Sequence, residues 1–122
     1  MAPTRQQAYD PPRAMRSIKQ PEEDPMYAAI RQAKAKAGTA EELARRIKDG
    51  AIPIISDVDG FMAYYVVYAG DDTVTAISLF NNFEGAEEAN KRALAWIEQE
   101  LSPLLVGQVH AVAGPVIVHT LA

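Results

Sequence analysis

Phe61-Met-Ala-Tyr-Tyr-Val-Val-Tyr-Ala69, then Gly70-Asp-Asp72, then Thr73-Val-Thr-Ala-Ile-Ser-Leu-Phe80 is the stretch that decides the fold. β-branched and aromatic residues fill both arms and a Gly/Asp cluster separates them, which predicts a β-hairpin. The first arm has no polar face. Met62, Tyr64, Val66 and Tyr68 fall on one side, and Phe61, Ala63, Tyr65 and Val67 on the other. A sheet with one wet face would alternate apolar and polar residues. This hairpin is therefore expected to be covered on both sides.

Upstream, Asp57-Val-Asp-Gly60 reads as the turn into the hairpin, and Ala51-Ile-Pro-Ile-Ile55 as a short apolar link over an edge of the core. Before it lies a helix opened by Thr39, with Glu42 three residues on in the capping-box spacing. Leu43, Ala44 and Ile47 form its stripe, Glu41–Arg45 and Glu42–Arg46 are acid-first i,i+4 pairs, and Gly50 is the expected stop. Met26 to Ala33 is the first strand, with Tyr27, Ala29 and Arg31 on one face. Downstream, Asn82 can cap a helix from Phe83 to Leu101 whose inner stripe is Ala86, Ala89, Ala93, Ile97 and Leu101. Those alanines bring the helix close to the sheet or leave room for a cavity. The last strand is expected from Gln108 to Leu121, interrupted at Gly114-Pro115.

The order strand, helix, strand, strand, helix, strand is the ferredoxin-like βαββαβ arrangement: α+β, a four-stranded antiparallel sheet with two helices on one face. Two helices cover one face only, and the chain holds no third layer for the other. A patch of that size marks an interface, and a two-fold axis lets one patch serve both subunits. A homodimer packed through its sheet faces is predicted. A charge at Tyr64 or Val66, depending on register, is expected to break it.

The 122 residues make one domain, with net charge −4. That charge argues against a nucleic-acid surface, and no apolar run approaches the ~20 residues of a membrane span. There is no cysteine, which excludes disulfides and thiolate chemistry and suits a cytoplasmic location. Residues 1–25, rich in proline and poor in large apolar residues, read as a tail or arm. Residues 26–122 form the domain.

The run from Met26 onward resembles the dimeric α/β-barrel superfamily, near the antibiotic biosynthesis monooxygenase-like domains. Asp59-Gly60-Phe61, Gly70-Asp71-Asp72, Ile77-Ser78-Leu79-Phe80-Asn81-Asn82 into Gly85-Ala86-Glu87-Glu88-Ala89, and the late helical Trp96 carry the resemblance. It implies the ferredoxin-like fold and the dimer. The activities it brings are diverse: cofactor-free oxygenases, haem-degrading enzymes, isomerase-like proteins and proteins without known activity. The family's oxygenases use a tryptophan just after the third strand, where this chain has Asn81, Asn82 and Phe83. The first strand lacks the asparagine of the haem-degrading type, and the second helix has no histidine. No catalytic residue carries over.

Tyr65, Trp96, Phe80 and Arg31 are the expected lining of an aromatic pocket, with Arg31 as anion anchor. Of the two histidines, His110 and His119, the second is the candidate for proton transfer because of its apolar setting. No metal site and no cofactor are expected. Ser78, Asp57 and Asp59 read as turn and strand chemistry. The expected function is binding of an aromatic or lipophilic small molecule between sheet and helices. A cofactor-independent monooxygenase or haem-related enzyme, and a purely structural dimerisation module, are the alternatives.

Overall fold

The computed structural model describes residues 25–122; the expected N-terminal tail, apart from Pro25, lies outside them. Four strands form one antiparallel sheet: β1 (Tyr27–Ala35), β2 (Phe61–Tyr68), β3 (Thr73–Phe80) and β4 (Leu105–Pro115), in the spatial order β2-β3-β1-β4. A broken helical run, α1 (Ala40–Arg46) and α2 (Ile52–Ser56) joined by a π-turn (Ile47–Ala51), precedes the hairpin, and α3 (Phe83–Glu100) follows it. Both helical layers pack on one face of the sheet. This is the ferredoxin-like α+β arrangement that the element order predicts.

Register fixes which residues meet the helices. Opposite residues in β1 and β3 include Ala29↔Ser78, Arg31↔Ala76 and Ala33↔Val74, and these face the helical layer with Phe80. In β2 the pairing shifts by one residue between Phe61 and Ala63. That bulge puts Phe61, Tyr64 and Tyr68 on the same, helix-facing side. Strict alternation would have separated Phe61 from Tyr64. Tyr65 and Val67 consequently face the open side, at 58% and 54% exposure. Tyr64 and Val66, the expected positions for an interface-breaking charge, lie on the helix-facing side, and Tyr65 and Val67 lie on the open one.

The helical run departs from its expected end. Gly50 does not stop the helix, and Ile52–Ser56 is helical rather than a link, with Pro53 in its first turn, where its missing N–H is harmless. Buried Leu43, Ile47, Ala51 and Ile55 recur every fourth residue. A spacing of four drifts off one face of a 3.6-residue helix, and the wider π-turn slows the turning enough to hold all four against the core. Gly50 serves a neighbour instead: a Cβ there would sit 2.5 Å from Cζ2 of Trp96.

The capping box does not form either. The Thr39 hydroxyl donates to the Lys36 carbonyl at 2.7 Å. Glu42 instead accepts from Arg45 and Arg46, each at 2.6 Å, so Arg45 pairs with Glu42 and not with Glu41. Arg46 also donates to the Glu100 carbonyl at 2.9 Å, tying α1 to the end of α3. The cap of α3 is as expected, with Asn82 Oδ1 accepting from the Gly85 amide at 2.6 Å.

β4 begins three residues earlier than expected and ends at Pro115. Opposite it, the partner of β1 jumps from His110 at Gln32 to Val106 at Lys34, where Gly107 has φ +75°. Past Pro115 one more bond forms, from the Val116 amide to the Met26 carbonyl at 2.8 Å. Pro115 itself has no N–H to give to the ladder.

The core has two parts. Ala29, Ile55, Val58, Phe80, Ala86 and Ala89 form one, with Phe61 edge-on to Phe80 at 5.8 Å between ring centroids. Ala35, Leu43, Ile47, Ala51, Val74 and Leu101 form the other. Among the described residues, nothing covers the face away from the helices.

Candidate functional site

Among the described residues, three polar side chains are buried, and they meet one another: Arg31, Ser78 and Asn90. Each sits at an inward position of its element, on β1, β3 and α3. Arg31 is 2% exposed. Its register partners across the sheet are Ala76 and Ala111, small enough to leave space beside a long side chain. Its Nη2 donates to Ser78 Oγ at 2.9 Å and its Nη1 to Asn90 Oδ1 at 3.2 Å, with a longer bond to the Ala29 carbonyl at 3.5 Å. Asn90 is itself held, because its Nδ2 donates to the Val112 carbonyl at 2.8 Å. That bond turns the amide oxygen towards the guanidinium. The Tyr64 ring lies over the guanidinium at 5.4 Å, in cation–π range.

Every one of these contacts is neutral. No ion pair joins Arg31 to a carboxylate among the described residues. Its Nε is buried without a hydrogen-bond partner. Buried charges are normally paired, because a low-dielectric interior penalises an isolated ion heavily.

Arg31 forms part of the wall of a recess between sheet and helices. The recess is open to solvent at its mouth. Leu43, Ile47 and Ala51 line it from the broken helical run, Ala93, Trp96 and Ile97 from α3, and Tyr64, Val74 and Ala76 from the sheet. The alanines create the room, and the wall is otherwise aliphatic and aromatic.

Two of the five residues expected at a ligand site, Arg31 and Trp96, are brought together in this recess. Tyr65 is not: the β2 bulge gives its place to Tyr64. Phe80 is fully buried in the neighbouring core, packed on Phe61 and outside the recess wall. His119 is half-buried in the segment after β4, also outside the wall. Ser78 and Asn90 were missed by sequence reasoning. Their signal is phase: each is a lone polar residue at an inward position, Ser78 between Ala76 and Phe80, and Asn90 in the alanine stripe with Ala86 and Ala93.

No group of three or more His, Cys, Asp or Glu side chains among the described residues could hold a metal ion. No helix among them is long and apolar enough to cross a membrane.

No protein-family model matches the chain, and no curated protein is significantly similar to it. Solved structures are similar. One is NE2512, a protein of unknown function from Nitrosomonas europaea, with TM-score 0.64 and 19% identity over 81% of this chain and 96% of that one. Another is the monooxygenase ActVA-Orf6 of Streptomyces coelicolor in complex with nanaomycin D, with TM-score 0.64 and 20% identity, covering 81% and 94%. A third is the heme-degrader MhuD of Mycobacterium tuberculosis with two hemes in its active site, with TM-score 0.59 and 18% identity, covering 77% and 98%. At these identities the likeness is one of fold. The chain has the ferredoxin-like α+β fold of the antibiotic biosynthesis monooxygenase-like proteins.

Proposed function

We propose that this chain is a small-molecule-binding protein that holds an aromatic or lipophilic ligand in the recess between sheet and helices. The recess itself carries the proposal: Leu43, Ile47, Tyr64, Trp96 and Ile97 offer apolar and aromatic surface, with one polar group to orient what enters. Solved structures of the same fold hold nanaomycin D in one case and heme in another. Trp96 is the single tryptophan of the chain, so its indole N–H is a unique NMR reporter placed at the site. Titration of the full-length protein with 1-naphthalenemethanol, a neutral aromatic alcohol, is expected to shift that resonance saturably. No shift up to millimolar with either this alcohol or the matching acid, 1-naphthoate, would remove the reading.

The open sheet face supports a second part of the proposal, a homodimer through that face. Tyr65, Val67 and Val112 are each more than half exposed there, with Ile30, Ile77 and Leu79 on the same side. A second copy brings an equal apolar surface, and a two-fold axis satisfies both patches at once. Light scattering is expected to give twice the 13.3 kDa chain mass. Val67→Asp is expected to reduce it to the monomer. A wild-type mass of one chain at micromolar concentration would sink the dimer and leave the recess proposal standing.

A further inference from the structure

We infer that the ligand of the recess is an aromatic acid whose anionic group pairs with Arg31; this rests on the recess being a ligand site. Ser78 and Asn90 supply dipoles to the guanidinium and no charge. The Tyr64 ring, 5.4 Å from the guanidinium carbon, supplies a cation–π contact and no counter-charge. The donors left over are Nε–H, buried and unbonded, and the second hydrogen of Nη2. Nε and Nη2 lie on one edge of the planar group, the edge that meets both oxygens of a carboxylate in a bidentate pair. A folded chain that buries a cation, fixes it from two sides and leaves Nε–H on that edge unmet is complementary to an anion.

The rest of the wall sets the remainder of the ligand. Tyr64 and Trp96 offer ring surface, and Leu43, Ile47 and Ile97 offer aliphatic surface. A small acid without a ring would satisfy Arg31 and leave this surface wet. A neutral ring would fill the surface and leave the guanidinium unpaired. An aromatic carboxylate answers both. The net charge of −4 works against anion binding in general, so a preference for the anion reports a local site and not the overall field.

The test compares two ligands that share a ring system, 1-naphthoate and 1-naphthalenemethanol, each titrated into the full-length protein with the Trp96 indole resonance as readout. The expected result is at least tenfold tighter binding of 1-naphthoate, nearly unchanged between ~0.1 and ~0.5 M salt because a buried pair is poorly screened. In Arg31→Met the two ligands should bind within about twofold of each other. Arg31→Lys, which keeps the charge and loses the fork, should keep only part of the preference. Equal binding of both ligands to wild type, or tighter binding of the alcohol, overturns the inference and leaves the ligand site intact. Binding of neither overturns the proposed ligand site as well. If Arg31→Met does not fold, the wild-type comparison and Arg31→Lys decide the question without it.

Discussion

Gly50→Ala is a substitution whose sign tests how Trp96 is held. Two effects oppose each other. Alanine in a helical segment is favoured over glycine by about 1 kcal/mol. Against that, the new Cβ would lie 2.5 Å from Cζ2 and 2.9 Å from both Cε2 and Nε1 of Trp96, so the ring must move. Overpacking of this kind costs about 1–3 kcal/mol. The net expectation is a loss of about 1 kcal/mol, which for a domain of this size lowers Tm by roughly 4–8 °C. Thermal melts of Gly50→Ala, Trp96→Leu and the double variant make a cycle that isolates the contact. With Trp96 replaced, Gly50→Ala should become neutral or stabilising. If Gly50→Ala raises Tm in the wild-type background, or costs the same with and without Trp96, the ring is not held against the π-turn and the argument fails.

Other expectations follow from the packing and the charges. Phe80→Ala, which empties a fully buried ring site beside Phe61, should cost about 3–5 kcal/mol in denaturant unfolding. Asn82→Ala removes the acceptor for the Gly85 amide and should cost about 0.5–2 kcal/mol by the same assay. Hydrogen bonds from Arg45 and then Arg46 lower the Glu42 carboxyl from its ordinary 4.5 to about 2. A depressed carboxyl stabilises the fold above its unfolded value and loses that contribution as pH falls through the folded one. Wild type should therefore exceed Glu42→Gln in Tm at neutral pH, and the gap should close between about pH 4.5 and 2. A gap that persists at pH 2 would mean that the charge of Glu42 is not its cause.

Strand and helix order was legible because period-2 and period-3.6 patterns are local properties of the chain. The places where reading failed are places where a distant element overrides a local rule. Gly50 carries the signature of a helix stop, but its lack of a side chain answers Trp96, 46 positions on in the sequence. Thr39 and Glu42 have capping-box spacing, yet two arginines take the carboxylate. The β2 bulge involves neither glycine nor proline, so nothing in Phe61–Tyr68 announces that Tyr64, and not Tyr65, turns inward. At the site, Arg31 and Trp96 could be grouped from residue type alone. Ser78 and Asn90 could not, because their roles exist only once three elements place them around one guanidinium.

The π-turn also says something about chain length. A turn of this kind holds one residue more than regular helix needs. Deleting one residue within Ile47–Ala51 would let the segment relax to regular α geometry, and everything after it would arrive rotated by about 100°. Ile55 would swing away from Phe80 and Ala89, and the chain entering β2 would be out of phase with β3. A point substitution at an exposed position of this segment should be tolerated, while a single-residue deletion there should not. Spacing, as much as residue identity, is what this part of the chain has to keep.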